Sequence, residues 1–369
     1  EEAADRWQVS VDELETRDSM VHHAKTGQSA TYAELAPDAA RRSLPDKPAL
    51  KTPDQFRLMG TSLPRPDIPS KVDGTAVFGI DAELPSMKYA AIKASPVFGG
   101  TVASYDETAI SDMPGVQKVV NLDDAVAVIA DGYWQAKRAL DSMPVDFDDA
   151  GNSRWEQSDI FKQFASDLDA SARAGDEETD LEAGNARAAL DDAAQVVEAE
   201  YRVPYLAHSP MEPMNCTAWV HDGQCELWVG SQNPLGFAKE AADAIDMDIE
   251  NVTLHNQFLG GGFGRRAFAD VAVQAARIAN EVPYPVKLVW SREEDTRHDH
   301  YRQASISRFR GGLDKDGKPI VWHNHYVNKH DPEEAPHIPY AIENQRIVFT
   351  ESATHVPWGF WRSVDHSLH

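Results

Sequence analysis

The stretch that most constrains this chain is LGGGFGRR at residues 259–266. The alternating run 252–258 before it predicts a strand, and the apolar spacing of residues 267–280 after it predicts an amphipathic helix. Three consecutive glycines remove every Cβ from the turn between them, so its backbone N–H groups are accessible beside a helix start. Such a turn suits phosphate or another anion, and Arg265 and Arg266 add positive charge at the same place. The alternative interpretation is a tight connection that holds no ligand.

The glycine spacing matches neither the separated glycines of the dinucleotide fingerprint nor the phosphate loop that ends in Lys-Ser/Thr. GGGFG at 260–264 resembles the cofactor loop of the molybdopterin-binding large subunits of the xanthine oxidase family. The Arg-Arg that follows is similar to their isoquinoline 1-oxidoreductase branch, specifically its β-subunits. The resemblance extends over nearly the whole chain, in the same order, through RLMG at 57–60, KVDGTA at 71–76, SPVFGG at 95–100, MPGV at 113–116, WSREED at 290–295 and WRSV at 361–364.

The resemblance implies a set of cofactor contacts. In that family a glutamine at the place of Gln232 donates toward a ligand of molybdenum, and an aromatic-Arg segment lines the metal centre and donates to the pterin. From the residues alone, Gln232 is also typical of a polar helix cap, and an arginine among aromatic residues is also typical of a core edge. The cofactor-binding residues that the resemblance implies are Gln232, Gly260, Gly261, Gly262, Phe263, Gly264, Arg265, Phe360, Trp361 and Arg362.

The implied reaction is hydroxylation, with water as the oxygen source, of a carbon next to nitrogen in an N-heteroaromatic ring or of an aldehyde carbon. The family's general-base glutamate lies in a Gly-Glu motif that this sequence does not contain, so we predict no catalytic residue within it. Purine-oxidising members carry a glutamate four residues after the loop phenylalanine, where this chain has Ala267, which disfavours a purine. Two alternatives stay open: an aldehyde or nicotinate dehydrogenase of the same superfamily, and a non-catalytic scaffold or assembly homologue.

The resemblance also implies a cofactor form and partners. The cofactor is molybdopterin cytosine dinucleotide, and the [2Fe–2S] clusters lie on a small partner subunit, because Cys216 and Cys225 are fewer than the four thiolates that one cluster needs. The two cysteines either form a disulfide across a hairpin or are buried free thiols. Further expected partners are the rest of the large subunit and, as electron acceptor, cytochrome c. We expect the isolated chain to bind cofactor weakly or not at all and to be inactive.

The charge balance excludes some classes of partner. Asp and Glu number 60 against 35 Lys and Arg, a formal charge of −25, which opposes binding to nucleic acid or to an anionic membrane. No run approaches eighteen apolar residues, so we predict no membrane span. The chain starts at Glu1 without an apolar targeting core, as expected of a piece cut from a longer protein, and both periplasm and cytoplasm stay open.

The patterns predict an α+β fold with several domains. Strands are predicted at 76–80, 88–94, 116–120, 125–130 and 145–148, with a helix at 133–140, and this range looks like an α/β hammerhead domain. The predicted division is 1–45, an N-terminal segment packing with the cofactor domain and containing a hairpin at 14–31; 46–69, a proline-rich linker; 70–150, an independent hammerhead domain; 151–195, an acidic helical connector with a mobile turn at 175–180; and 196–369, the first part of a molybdopterin-binding domain.

Three histidine patterns could belong to acid–base or metal sites. His208 precedes Glu212 by four residues, but Pro210 and Pro213 break any helix that would align them, which favours packing beside the cofactor loop. His298 with His300, and His323 with His325, share a face if they lie on strands, yet each pair supplies only half of a zinc or copper site. The favoured interpretation of 290–301 is a charged loop in which an arginine pairs with the neighbouring acids.

Overall fold

The computed structural model describes residues 1–43, 47, 50–329 and 338–364. The chain divides into two compact units, Glu1–Pro69 and Ser70–His369. The end of the predicted N-terminal segment (residues 44 and 45) and part of the predicted linker (residues 46, 48 and 49) lie outside the described residues. No helix in the described ranges is long and apolar enough to cross a membrane.

The first unit is a three-stranded antiparallel sheet with two short helices. Thr31 caps the second helix, because its side chain accepts from Glu34 N and Glu34 bonds back to Thr31 N. The predicted hairpin has an additional strand, since Asp18 and Ser19 both adopt positive φ and turn the chain before the second turn. The elements are α1 (Glu2–Trp7), β1 (Leu14–Arg17), β2 (Met20–His23), β3 (Gln28–Thr31) and α2 (Tyr32–Ala39).

The second unit contains two large sheets and one strand pair. The elements from residue 68 onward are α3 (Ile68–Asp73), β4 (Lys88–Ala94), β5 (Thr101–Tyr105), β6 (Val116–Asn121), β7 (Ala125–Ala130), α4 (Tyr133–Ser142), β8 (Val145–Asp148), α5 (Gln157–Ala174), β9 (Glu178–Ala183), α6 (Ala186–Asp191), β10 (Gln195–Val203), β11 (Asn215–His221), β12 (Gln224–Val229), α7 (Pro234–Ala244), β13 (Val252–Asn256), α8 (Asp270–Ala279), β14 (Val286–Val289), α9 (Arg292–Arg297), β15 (Ser305–Leu313), β16 (Pro319–Val327) and β17 (Asn344–Thr350). The mixed α and β content agrees with the predicted fold class.

The seven-stranded sheet has the order β13-β12-β11-β14-β4-β7-β6. Helices α7 and α8 contribute Phe237, Val271 and Ile278 to the core on one face, and α4 packs on the other. β7 is therefore completely buried and reads as a continuous apolar run. The sheet crosses the predicted boundary at 150–196, because β14 pairs with β4 in parallel. Residues 70–150 thus share a sheet and a core with later residues, which corrects the prediction of an independent domain.

The five-stranded sheet has the order β10-β15-β16-β17-β9, with α5 and α6 packed on it. β9 corrects the prediction of a mobile turn at 175–180, since its residues Glu178 and Thr179 pair with Phe349 and Val348 of β17. An acidic sequence, of which half the residues are exposed, forms an edge strand here because β17 supplies the hydrogen-bond partners.

Two more local predictions are wrong. Residues 76–80 do not form a strand: Phe78 makes a single bridge to Phe258, and Gly79–Asp81 is a 3-10 turn. The predicted charged loop at 290–301 contains α9, which begins after Ser291 because that side chain accepts from Glu294 N. The expected pairing within it is present between Arg292 and Asp295.

Candidate cofactor-binding site

The glycine loop, residues 260–264, connects β13 to a 3-10 turn (Arg265–Ala267) that leads into α8. The predicted strand-to-helix turn is therefore confirmed. Gly261 and Gly264 have φ of 98° and 112°, values that only glycine adopts without strain, and Phe263 between them has φ of 58°. The 3-10 turn closes with Arg265 N donating to Gly262 O at 2.9 Å. The loop is a fixed bend rather than a flexible connection.

Each of three loop glycines touches a different segment of the chain. A Cβ on Gly260 would lie 2.5 Å from Glu212 Cβ, one on Gly262 would collide with the Gln232 carboxamide, and one on Gly264 would collide with the Phe360 carbonyl. The absence of side chains therefore permits three close approaches at once. The run of glycines that predicted an accessible backbone therefore also allows neighbouring segments to pack closely against the loop.

Gln232 is fastened to the loop through its backbone and its side chain. Its N–H donates to Arg266 O at 2.8 Å, and its Oε1 accepts from Gly264 N at 3.1 Å. The neighbours are fixed as well: Ser231 N donates to Asn256 Oδ1, and Asn233 caps α7 by accepting from Gly236 N. The side chain is exposed, and its Nε2 donates to no other residue in the described part of the chain. One face of the amide orders the loop, and the other is available to a ligand.

The aromatic-Arg segment, residues 357–364, lies on the loop from the other side. Arg362 N donates to Phe263 O at 2.8 Å, and Gly359 N donates to Tyr301 O at 2.9 Å. The Phe360 ring stacks on Phe268 with centroids 6.0 Å apart. Gln232, the glycine loop and Arg362, which are separated by up to 130 residues in sequence, are thus brought to one place.

The surface formed at this place is rich in unused hydrogen-bond donors. The backbone N–H groups of Gly261, Gly262 and Phe263 donate to no partner among residues 1–43, 47, 50–329 and 338–364. The Trp361 Nε1 is buried and has no hydrogen-bond partner among those residues. The Arg362 side chain is exposed and forms no ion pair with any described residue. Consecutive free N–H groups, an indole N–H and a guanidinium form a set that fits phosphate or another group rich in acceptor oxygens.

The two arginines after the loop correct a sequence prediction. Arg265 and Arg266 are both fully buried and point into the protein, away from a ligand. Arg265 donates to both carboxylate oxygens of Asp270, at 3.0 and 2.7 Å. Burial opposes its charge, but Asp270, Asp299 and Asp295 outweigh that effect and raise the pKa of the guanidinium. The positive charge expected beside the glycines is therefore neutralised internally, and the Arg265 side chain is not available as a cofactor contact.

Arg266 is held by Glu212, which connects four segments. The Arg266 Nη2 lies 3.0 Å from Glu212 Oε2 and donates to Glu212 O at 2.9 Å. Glu212 Oε2 also accepts from Gly260 N at 2.7 Å, and its Oε1 accepts from Ile80 N and Asn215 Nδ2 at 2.9 Å each. The role predicted for this stretch, packing beside the glycine loop, agrees with these contacts. No sequence pattern identifies Glu212 as the anchor of the loop.

His208 forms the second support beneath the site. Its Nδ1 lies 2.9 Å from Asp299 Oδ1, and its Nε2 lies 2.7 Å from the Phe360 carbonyl oxygen. Both side chains are almost completely buried. The sequence does not single out Asp299, because it stands between two histidines that suggest a metal site and no spacing relates it to His208.

Within the part of the chain that the structure describes, the histidine pairs belong to no metal-ligating group. No group of three or more metal-ligating side chains occurs within the described ranges. His298 and His300 lie outside any strand, whereas His323 and His325 lie on β16 as a strand pattern requires. Burial lowers the pKa of His323 and of His325 to about 4, so both are neutral packing residues near pH 7.

Cys216 and Cys225 are buried free thiols, one of the two alternatives drawn from the sequence. Elsewhere, an apolar cavity of about 670 Å³ lies on the five-stranded sheet and is lined by Tyr201, Phe309 and Trp322 among others. None of its lining residues belongs to the glycine loop, to Gln232 or to residues 357–364. It is separate from the candidate site.

Comparison with known proteins agrees with this geometry. The family model described as the molybdopterin cofactor-binding domain matches residues 170–357. The beta subunit of isoquinoline 1-oxidoreductase from Brevundimonas diminuta is 30% identical over 359 residues, covering 86% of this chain and 46% of the relative. A nicotinate dehydrogenase subunit from Pseudomonas putida is 28% identical, covering 81% of this chain and 25% of the relative. The chain therefore spans less than half the length of these relatives.

Solved structures share the fold. Quinoline 2-oxidoreductase from Pseudomonas putida 86 superposes with a TM-score of 0.65 at 16% identity, over 83% of this chain and 46% of that chain. Aldehyde oxidoreductase from Desulfovibrio gigas superposes with a TM-score of 0.64 at 20% identity, over 85% of this chain and 40% of that chain. The family model covers the loop, Gln232 and most of the second unit, and the resemblance drawn from the sequence motifs is confirmed. The chain belongs to the molybdopterin cofactor-binding domain family of the xanthine oxidase-type large subunits.

Proposed function

We propose that this chain is the part of a large subunit that holds molybdopterin cytosine dinucleotide in an oxidoreductase. The substrate class is an N-heteroaromatic compound or an aldehyde. The proposal includes four segments predicted from the sequence, namely 1–45, 46–69, 151–195 and 196–369. The last of them is the first part of the molybdopterin-binding domain. The observation that carries the proposal is the convergence of Gln232, the glycine loop and the Arg362 segment through two hydrogen bonds, Gly264 N to Gln232 Oε1 and Arg362 N to Phe263 O.

Each element of the site has a defined role in holding the cofactor. The free N–H groups of Gly261, Gly262 and Phe263 bind acceptor oxygens without a charged side chain, and the Arg362 guanidinium grips a phosphate or a pterin oxygen with two donors. Gln232 Nε2 donates toward the metal's ligands, while its Oε1 is kept in place by Gly264 N. A cofactor held by these residues would supply the two-electron acceptor for the oxidation, with water as the source of the oxygen.

Two exposed aromatic residues offer apolar surface at the site. Phe263 in the loop and Phe360 in the aromatic-Arg segment are 46% and 44% exposed, so a bound planar ring system covers apolar surface. Ala267 lies at the end of the 3-10 turn and has no polar side-chain atom. A purine therefore finds no carboxylate there, which supports a heteroaromatic substrate of the quinoline or nicotinate class, or an aldehyde.

The remaining machinery is proposed to lie outside residues 1–369. It comprises the general-base glutamate, a small [2Fe–2S] subunit and an acceptor such as cytochrome c. The only cysteines, Cys216 and Cys225, are buried beneath α7 and α8, which supports the placement of the clusters on another chain.

The test is the metal and nucleotide content of the full-length large subunit, expressed with its small subunit in a host that makes the cofactor. We expect about one molybdenum per chain and release of cytidine monophosphate on acid hydrolysis. Gly262→Ala places a methyl group into the Gln232 carboxamide and is expected to abolish most of the molybdenum. Gly311→Ala is the matched control, because its Cβ would meet only Val321 O at 4.0 Å.

Three outcomes separate the alternatives. A wild-type complex without molybdenum supports the non-catalytic scaffold homologue. Molybdenum with a different released nucleotide contradicts the cytosine dinucleotide form alone. Equal molybdenum in the Gly262→Ala and Gly311→Ala proteins contradicts the assignment of the loop as the cofactor contact. A panel of quinolines, nicotinate and aldehydes then distinguishes the substrate classes.

A further inference from the structure

His208 is placed between two groups that can only accept hydrogen bonds. The carboxylate of Asp299 faces its Nδ1 at 2.9 Å, and the carbonyl oxygen of Phe360 faces its Nε2 at 2.7 Å. A neutral imidazole has one N–H and one lone pair, so in either tautomer one nitrogen would direct its lone pair at an acceptor. Both contacts are satisfied only when both ring nitrogens carry a proton.

The Asp299 carboxylate that faces His208 Nδ1 is fixed by further contacts. The backbone N–H and the ring of His208 both bond to Asp299, whose Oδ1 also lies 3.1 Å from Arg265 Nε. Arg265 also pairs with Asp270, whose side chain is 26% exposed, and so connects Asp299 to a second carboxylate. The acceptor that faces His208 Nδ1 is therefore held in place by contacts besides the ring itself.

The Phe360 carbonyl that His208 holds is the group that rests directly on Gly264. A Cβ at position 264 would collide with this carbonyl oxygen, so the carbonyl is in close contact with the Gly264 backbone. The next residue, Trp361, has its ring 6.4 Å from the His208 ring. The residue after that, Arg362, donates its backbone N–H to Phe263 O. A hydrogen bond from His208 to this carbonyl therefore fixes the register of residues 360–362 on the loop.

We propose that His208, kept as an imidazolium by Asp299, is a positioning residue that clamps the Phe360 carbonyl onto Gly264 and so aims Trp361 Nε1 and the Arg362 guanidinium at the cofactor. The existence of the clamp is a property of this chain alone. Its use in cofactor binding rests on the proposed function. A charge-assisted donor suits this task, because such hydrogen bonds are about twice as strong as neutral ones.

The first test reads the protonation of the ring directly in the chain of residues 1–369 labelled with ¹⁵N-histidine. At neutral pH we expect both His208 nitrogens to show the chemical shift and one-bond coupling of protonated nitrogens, assigned by their loss in His208→Gln. Asp299→Asn keeps His208 but removes its counter-charge, and one ring proton is expected to be lost. A wild-type His208 with one unprotonated nitrogen overturns the proposal. If His208→Gln does not fold, the change in the Asp299→Asn spectrum assigns the His208 signals instead.

The second test measures hydrogen exchange at the Arg362 amide, which donates to Phe263 O. Loss of the clamp in His208→Gln is expected to accelerate its exchange about tenfold or more, the equivalent of one hydrogen bond from a charged donor. His221→Gln is the control, since that ring stacks on Trp219 and bonds to Glu226 in another part of the sheet. Equal exchange in the two variants contradicts the clamp.

The last measurement connects the clamp to the cofactor. In the full-length subunit with its partner, His208→Gln is expected to retain several-fold less molybdenum than His221→Gln. Faster exchange at Arg362 with unchanged molybdenum overturns the cofactor role and leaves the proposed function intact. A wild-type subunit without molybdenum contradicts the proposed function, whereas the ring spectrum and the exchange data still decide on the clamp.

Discussion

Replacement of Glu212 by glutamine tests whether a single buried carboxylate anchors the glycine loop. The side chain is 6% exposed and accepts hydrogen bonds from Gly260 N, Ile80 N, Asn215 Nδ2 and Arg266 Nη2. Glutamine has the same shape but offers one oxygen and one NH₂ group. Each carboxylate oxygen of Glu212 accepts from two donors. In either orientation of the glutamine amide, its NH₂ group would therefore face two donors without accepting from them.

The magnitude follows from the burial of the partner. Arg266 is 0% exposed, and its other contacts are backbone carbonyls, so Glu212→Gln leaves its charge without a carboxylate. Burial already lowers the pKa of the Arg266 guanidinium, with Glu212 as the main opposing effect. Removing one partner of such a pair destabilises proteins by about 3–5 kcal/mol. We expect a loss in this range in the free energy of unfolding.

The assay is urea unfolding of the chain at neutral pH, with Glu281→Gln as the control. Glu281 lies 2.8 Å from Lys118 and is 52% exposed, and pairs of this kind contribute about 0–1 kcal/mol. The midpoint of Glu212→Gln is expected to fall clearly below that of the control, with an unchanged slope against urea. If the two variants lose stability equally, the interpretation of Glu212 as the anchor of the loop is wrong.

Further predictions concern the space at Gly264, two buried histidines and the thiols. Gly264→Ala adds a Cβ against the Phe360 carbonyl at a φ of 112°, and we expect a loss of about 2–4 kcal/mol in urea unfolding. His323 and His325 have pKa values lowered to about 4 by burial, whereas the unfolded chain takes up their protons near 6.5, so stability falls as the pH drops from about 6.5 to about 4. Replacing both by glutamine should flatten the urea midpoint across this range. Burial raises the pKa of the Cys225 thiol to about 11 and that of Cys216 further, so a thiol reagent should modify them at pH 8 only after unfolding.

Local patterns are sufficient where the hydrogen-bond partners are near in sequence. The β11–β12 hairpin turns at Asp222 and Gly223, both with positive φ, as an Asp-Gly turn predicts. Helix α8 follows the three- and four-residue apolar spacing. The continuous seven-stranded sheet could not be predicted, because β4 and β14 pair across almost 200 residues. The local sequence of either strand does not indicate which strand it pairs with.

Short segments without a local partner are the main source of error. Residues 76–80 alternate as a strand does, yet no strand ladder accepts them, and Ile80 N bonds to the Glu212 side chain instead. Residues 178–183 are acidic and begin in a stretch typical of a turn, yet β17 has an open edge that they complete. In both cases the tertiary partner, rather than intrinsic preference, decides the conformation.

The candidate site also has features that the sequence predicts and features that it does not. The convergence of Gln232, the loop and residues 360–362 is expected from family resemblance, and backbone hydrogen bonds realise it. The direction of Arg265 and Arg266 is not predictable, because their partners Asp270, Asp299 and Glu212 come from three separate segments. Buried arginines of this kind set the shape of the backbone and leave it to present neutral N–H groups. A loop that binds through neutral dipoles and one exposed guanidinium can hold an anionic cofactor while the chain as a whole carries a formal charge of −25.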